Sequence, residues 1–266
     1  MTNGAQQQLI LPCQPGYQWP LVREFLARRT LVALETVAQD SYRREVSNGA
    51  IVARYDKARQ AFVVRRTDAA AITAAEQASL RRVLGCDTPF ADIHTALIQA
   101  GLTHQQLYFV AIAGCWHPFE ALLRAVVGQQ VSVTAAIKHI NHIMALAQAA
   151  FPSLEAFPSP EQCLAIDFSA LKMPQRRQQT LCDVCEYVHL HGPLQPEALA
   201  SLSTIKGIGP WTLNYVRLRG FCLPDVMLEN DLIIKRQLAK YPLDSTLAKP
   251  WRSYLCLQLW EMSNHD

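Results

Sequence analysis

No apolar run in these 266 residues reaches the length of a bilayer-spanning helix. The first residues, Met1 to Gln8, carry neither the basic nor the apolar part of an export signal, so the expectation is a cytoplasmic protein. Charge is sparse: 18% of residues are charged and the net charge is +3, which permits a polyanionic partner without demanding one. Half of the residues are apolar, which excludes a disordered chain and provides for a sizeable core. Nothing repeats at a fixed period, which excludes a solenoid. The eight cysteines do not form a metal framework. Cys182 and Cys185 make one CxxC, but no second pair follows at zinc-ribbon spacing, and no four cysteines cluster as an iron–sulfur centre requires. On a helix, positions i and i+3 are neighbours on one face, so reduced core or surface thiols are expected and no cofactor is required.

What is present reads as α+β. Leu9 to Pro12 forms a strand pattern, and Pro20 to Ala33 a helix with Leu21, Val22, Phe25 and Leu26 on one stripe. Tyr42 to Val46, Ala50 to Tyr55 and Ala61 to Arg66 read as antiparallel strands; Asn48-Gly49 marks a hairpin, because both residues tolerate positive φ. The imperfect alternation of Phe62-Val63-Val64-Arg65 leaves the faces of the last strand open. Helical patterns follow over Ala74 to Leu84, Pro89 to Ala100 with Gly101 as its stop, Pro118 to Val127, Ser132 to Ala149, Pro160 to Ala165, Gln175 to His191, Pro196 to Leu202, Pro210 to Arg219 with Gly220 as its cap, Asp231 to Ala239 and Pro250 to Met262. A small N-terminal antiparallel-sheet domain (1–86) leading into a mainly α-helical domain (87–266) is the expected organisation. The arginines come in pairs at 28–29, 43–44, 65–66, 81–82 and 176–177, and most read as solvated surface.

The most specific string is Leu202-Ser203-Thr204-Ile205-Lys206-Gly207-Ile208-Gly209-Pro210-Trp211-Thr212. Two glycines in a tight turn between helical patterns let another backbone approach closely, and Pro210 suits the first helical position. The unpaired amides at a helix N-terminus make such a turn a natural seat for a phosphate. About twenty residues downstream stands Asp231, at the head of another helical pattern whose N-terminal dipole favours a negative group. Read alone, Asp231 is an ordinary helix cap. Trp211 and Tyr215, four apart, share a helix face.

The hairpin, together with Phe119 to Ser132, Asn214 to Gly220 and Lys249 to Tyr254, resembles the helix–hairpin–helix DNA glycosylases, and within them the bacterial 3-methyladenine DNA glycosylase II (AlkA) type. Glu35-Thr36-Val37 and Asp40-Ser41-Tyr42 extend the likeness to the N-terminal region. The resemblance implies a glycosylase domain of two helical subdomains, about 115–224 and 87–114 plus 225–266, with the helix–hairpin–helix at about 196–219. It also implies a monomeric base-excision-repair enzyme acting on double-stranded DNA, not on membranes. Alkylated bases such as 3-methyladenine and 7-methylguanine would be flipped out, and their N-glycosidic bonds hydrolysed.

Residue by residue, the resemblance makes Asp231 catalytic and Trp211, Tyr215 and Trp260 the walls of the base pocket. Gln130 falls at the wedge that fills the gap left by the base. Gly207, Gly209 and Lys206 fall at DNA phosphate contacts. The backbone carbonyls of Ser203, Ile205 and Ile208 fall where relatives hold a monovalent cation. The chemistry suits these residue types. A carboxylate stabilises an oxocarbenium-like sugar or steers water onto it, and a cationic alkylated base is drawn to aromatic faces. Trp211 stands where bifunctional relatives carry a Schiff-base lysine, so no lyase activity is expected. Glu229 and Asn230 depart from the family's usual Pro and Asp, which makes Glu229 a weak rival to Asp231. Two other readings stay open: a non-catalytic DNA-damage-binding protein that keeps the hairpin as a grip, and a glycosylase for deaminated purines.

Overall fold

The computed structural model describes residues 8–108 and 111–265; residues 1–7, on which most of the export reading rests, lie outside them. The chain begins with a strand, β1 (Leu9–Pro12), and a helix, α1 (Trp19–Ala27). Strands β2 (Glu35–Val37), β3 (Ser41–Val46), β4 (Gly49–Asp56) and β5 (Ala61–Arg66) follow, and the five strands form one antiparallel sheet in the order β1-β5-β4-β3-β2. Asn48 and Gly49, both at positive φ, turn β3 into β4 as their sequence requires. The helices are α2 (Ala74–Leu84), α3 (Phe90–Gln99), α4 (Pro118–Gly128), α5 (Val133–Ala150), α6 (Pro160–Leu164), α7 (Gln175–His191), α8 (Pro210–Gly220), α9 (Leu232–Lys240) and α10 (Arg252–His265).

Several ends differ from the sequence pattern, each for a local reason. Helix α1 stops at Ala27, because the amide of Leu31 turns to the Glu35 carboxylate and that of Val32 to the Asn141 side chain. The stretch expected as a helix from Pro196 is instead a 3₁₀ helix over Leu199–Thr204, where Ser203 and Thr204 hydroxyls bond carbonyls three residues back. Gly220 is not a left-handed cap: it lies inside α8, and a Cβ there would stand 3.1 Å from both Ala121 Cβ and Pro118 Cα. It is glycine so that α8 can pack closely on α4.

Two apolar cores result. One joins the buried face of the sheet, α1, α2 and α3 to α10, through Phe62, Leu80, Leu97, Leu255 and Leu259. The other gathers α4, α5, α7 and α8, through Leu122, Val126, Ile143, Leu181 and Val216. Helix α4 is buried at every position from Phe119 to Val127, which makes it the axis of the second core.

The arginine pairs correct the surface reading. On a strand, neighbouring side chains take opposite faces, so one member of each strand pair points inward. Register aligns Arg66, Ile51, Arg44 and Glu35 in one row across the sheet. Arg66 meets Asp68 at 2.6 Å and also Glu76. Arg44, 1% exposed, bonds Glu35 at 3.0 Å and Glu120 of α4 at 2.9 Å, and Glu120 binds Arg124 at 2.9 Å. On α2, Arg82 is half-buried and holds the carbonyls of Cys115 and Trp116.

Burial alone pushes the Glu120 carboxyl up, but the charges of Arg44 and Arg124 outweigh it and hold it at about 2. A depressed folded value stabilises the fold above the unfolded carboxylate range, near pH 4.3, and that contribution is lost as pH falls toward 2. Glu120→Gln leaves two buried guanidiniums without their shared carboxylate and should cost about 3–5 kcal/mol at neutral pH, read from the urea midpoint. Its stability should also fall less steeply than wild type between about pH 4.3 and 2.

Candidate active site

The hairpin is built by α7 as much as by its own glycines. Thr180 donates its hydroxyl to the Lys206 carbonyl at 2.9 Å, which pins the turn to α7. Gly207 adopts φ +101°, and a Cβ on it would stand 2.5 Å from the Thr180 hydroxyl oxygen, so both conformation and space demand glycine. Gly209 is different: its φ is −113°, and a Cβ would meet nothing within 4 Å. No protein acceptor among the described residues takes the amides of Gly207 or Gly209. Lys206 is exposed beside them. Of the three hairpin carbonyls, that of Ile205 accepts the Ile208 amide at 3.0 Å, while those of Ser203 and Ile208 accept no backbone amide among the described residues.

The loop between α4 and α5 joins this grip. The side-chain amide of Gln129 donates to the Gly207 carbonyl at 2.8 Å and to the Thr212 hydroxyl at 3.0 Å. Gln130, next in the chain, is exposed and held at φ +57°, a conformation that non-glycine residues other than Asn, Asp and His seldom adopt. Val131 and Val133 beside it are also exposed, at 36% and 47%.

Beyond the hairpin, α8 carries Trp211 and Tyr215 with ring centroids 5.3 Å apart and planes inclined by 30°. Trp211 packs against both cores, Tyr215 against the core around α4, and Trp260 of α10 against the core around the sheet. All three are half-buried. They therefore line the seam between the cores. Asp231, also half-buried, stands in that seam as the N-cap of α9. Its Oδ1 accepts the amides of Ile233 (3.0 Å) and Ile234 (3.1 Å) and the Trp260 indole N–H (3.2 Å), while Oδ2 accepts the Trp211 indole N–H (3.0 Å). The cap and the candidate catalytic carboxylate are thus the same group, and two of the expected pocket walls bond to it.

The segment leading to Asp231 is clamped from both sides. Ser253 accepts the Val226 amide at 2.9 Å and donates to the Leu223 carbonyl, Asn214 donates to the Met227 carbonyl at 3.1 Å, and Arg252 grips Asp225 at 2.6 and 2.9 Å. Glu229 is exposed and lines a separate cavity of about 300 Å³ with Asn214, Arg217, Asp225 and Arg252, away from the two indoles. Sequence reasoning assigned no role to Thr180, Gln129, Asn214 or Ser253. The only available signal for Gln129, Asn214 and Ser253 was that they fall inside blocks of family resemblance. Among the described residues no His, Cys, Asp or Glu cluster could hold a metal ion. Cys163 and Cys185 are buried in the core around α4.

A hairpin seated on α7, followed by an aspartate between two indoles at the seam of the two apolar cores, is the arrangement expected of the helix–hairpin–helix glycosylase class. Comparison narrows it. The family model described as the AlkA N-terminal domain matches residues 8–111. The chain is 32% identical over 273 residues to DNA-3-methyladenine glycosylase 2 of Escherichia coli (strain K12), covering 93% of this chain and 94% of that one. It is 25% identical over 206 residues to a DNA-3-methyladenine glycosylase of Bacillus subtilis (strain 168), covering 66% and 67% of the two chains. A solved 3-methyladenine DNA-glycosylase from Archaeoglobus fulgidus shares the fold with a TM-score of 0.70 at 17% identity, over 94% of this chain and 96% of that one. The chain belongs to the AlkA-type DNA-3-methyladenine glycosylase family.

The two hairpin glycines should separate by experiment. Gly207→Ala combines left-handed strain with a clash and should destabilise the free protein by about 1–3 kcal/mol in denaturant titration. Gly209→Ala should cost less, about 1 kcal/mol or under, since nothing in the protein opposes its methyl group and only the N-cap preference for glycine is lost. Any further loss from Gly209→Ala should appear as weaker binding of duplex DNA.

Proposed function

We propose that this protein is a monofunctional DNA glycosylase of base excision repair, acting as a cytoplasmic monomer on alkylated bases such as 3-methyladenine and 7-methylguanine. The observation that carries the reading is the convergence of the Trp211 and Trp260 indoles on the carboxylate of Asp231. An aromatic seam suits a flat cationic base, through stacking and cation–π attraction. The free amides of Gly207 and Gly209, with Lys206 beside them, suit a DNA phosphate. Exposed Gln130, set in a strained turn tied to the hairpin through Gln129, is suited to fill the gap left by the flipped base and to bond base edges.

The donors on Asp231 are unequal. Three occupy Oδ1 and one occupies Oδ2, which leaves Oδ2 the oxygen with accepting capacity toward substrate. As the N-glycosidic bond breaks, its electron pair leaves with the alkylated base, which departs neutral. The sugar carbon gains positive charge that the carboxylate opposes. Water then adds to that carbon and releases a proton, leaving an abasic site. Trp211 stands beside Asp231 where a lyase would need its lysine, and Lys206 is exposed on the hairpin, so hydrolysis without strand cleavage is the reading the site supports. The hairpin carbonyls of Ser203, Ile205 and Ile208 fit a monovalent cation, since two of them keep free lone pairs; a bound cation would add positive potential for a phosphate.

The test is base release from methylated duplex DNA beside an Asp231→Asn variant. Asparagine still caps a helix, so the variant should fold, while release should fall by a factor of about 10² or more. Equal release by the variant would overturn the assignment to Asp231. Strand breaks without alkali would overturn the monofunctional reading.

A further inference from the structure

The junction between the sheet and α4 holds more positive charge than the protein neutralises. Arg29, Arg44, Arg124 and Arg219 gather there around the carboxylates of Glu35 and Glu120, an excess of two positive charges. Arg219, near the end of α8, is only 3% exposed, yet its Nε has no hydrogen-bond acceptor, and the residue enters no ion pair among the described residues. Its guanidinium lies 4.7 Å from the Phe25 ring centroid, and that of Arg29 lies 3.7 Å from the same ring. Two like charges thus share one aromatic side chain, and among the described residues no carboxylate bonds either.

A buried guanidinium with an unbonded N–H and no counterion among the described residues is costly, and this one faces space. Arg219, Arg29, Arg124, Glu35, Glu120 and Cys115 line a cavity of about 10 Å³. That is room for one small spherical species: a water molecule or, if the walls give by a few tenths of an ångström, a halide ion. A water molecule there would satisfy donors but leave the charge excess untouched. Sulfate and phosphate are too large. Burial, and next the charge of Arg219, pull the Arg29 guanidinium down to about 9, as expected where cations crowd without a counterion.

We infer that this cavity is a binding site for a single halide ion, chloride in the cell, held by the guanidiniums of Arg219, Arg29 and Arg124. The ion supplies the negative charge that Glu35 and Glu120 do not, and it joins the turn after α1, helix α4 and the end of α8. Because α8 also carries Trp211 and Tyr215, the halide steadies the helix from which the candidate pocket is built. The site is independent of the proposed chemistry: it requires no DNA and no active Asp231.

The whole protein, exchanged into glutamate salt, is titrated with chloride or bromide at a constant ionic strength of about 0.15 M, and its melting temperature is recorded. Ten times the dissociation constant of halide should raise Tm saturably by about 3 °C or more. Arg219→Met, which removes the unpartnered charge, should show no difference between chloride and glutamate. Crystals grown in bromide should show an anomalous peak within hydrogen-bond distance of Arg219; this readout needs only the wild-type protein and stands if the variant does not fold. Identical melting in chloride and glutamate, or density at the cavity without an anomalous peak in bromide, overturns the proposal.

Discussion

One carboxylate ties three helices together. Asp231 caps α9 through two backbone amides, and it draws an indole from α8 and another from α10. Remove its negative charge and four donors in a half-buried seam compete for a weaker acceptor. The aromatic walls are therefore not set around an independent carboxylate; their tilt and spacing depend on it. This makes the site rigid where the proposed reaction needs rigidity, since charge stabilisation works when dipoles and charges are already oriented.

That arrangement transfers the problem of precision to α8, which must present Trp211 at one height and angle. Its N-terminal end is fixed by the hairpin, where Thr180 of α7 and Gln129 of the α4–α5 loop hold the turn. Its C-terminal end is fixed where Gly220 admits α4 to close contact and where Arg219 enters the charged junction with the sheet. The sheet bears no group of the candidate site. Through Arg44 and Glu120 it braces the helix on which α8 rests. Charges buried this way contribute little net stability against an apolar alternative, but breaking one partner is expensive. They act as a register between the sheet and the helical cores.

Much of this was legible in the sequence wherever the cause is local. Asn48-Gly49, Gly101, Pro118 and Pro210 mark turns and helix starts through backbone preference alone, and the structure places turns and helices there. Four of the five strands and the helices after them matched the pattern; β2 was not foreseen, because its three residues are too few to show alternation. What could not be read depends on contacts between distant residues. The repeated arginine pairs looked like surface because burial is not visible in the sequence: Arg66 finds Asp68 two residues on, but Arg44 finds Glu120 across 76 positions. Gly220 looked like a cap because the helix that crowds it is about one hundred residues away. Helix α8 shows no apolar stripe, since it is enclosed on most sides, so Trp211 and Tyr215 could be assigned to a pocket only by resemblance.

Asp231 itself shows why the bland and the chemical readings of a residue need not compete. A helix cap requires a short side chain with an accepting oxygen, and one oxygen is enough for it. An aspartate has two. In this fold Oδ1 does the structural work, with three donors, and Oδ2 faces the Trp211 wall with capacity left over. The cap fixes the carboxylate plane, so the remaining lone pair points in one direction and not in many. A serine or threonine would cap α9 as well, yet offer no charge and no second oxygen. The cap alone therefore does not require an aspartate; the two indole N–H groups and the oxygen with capacity left over do.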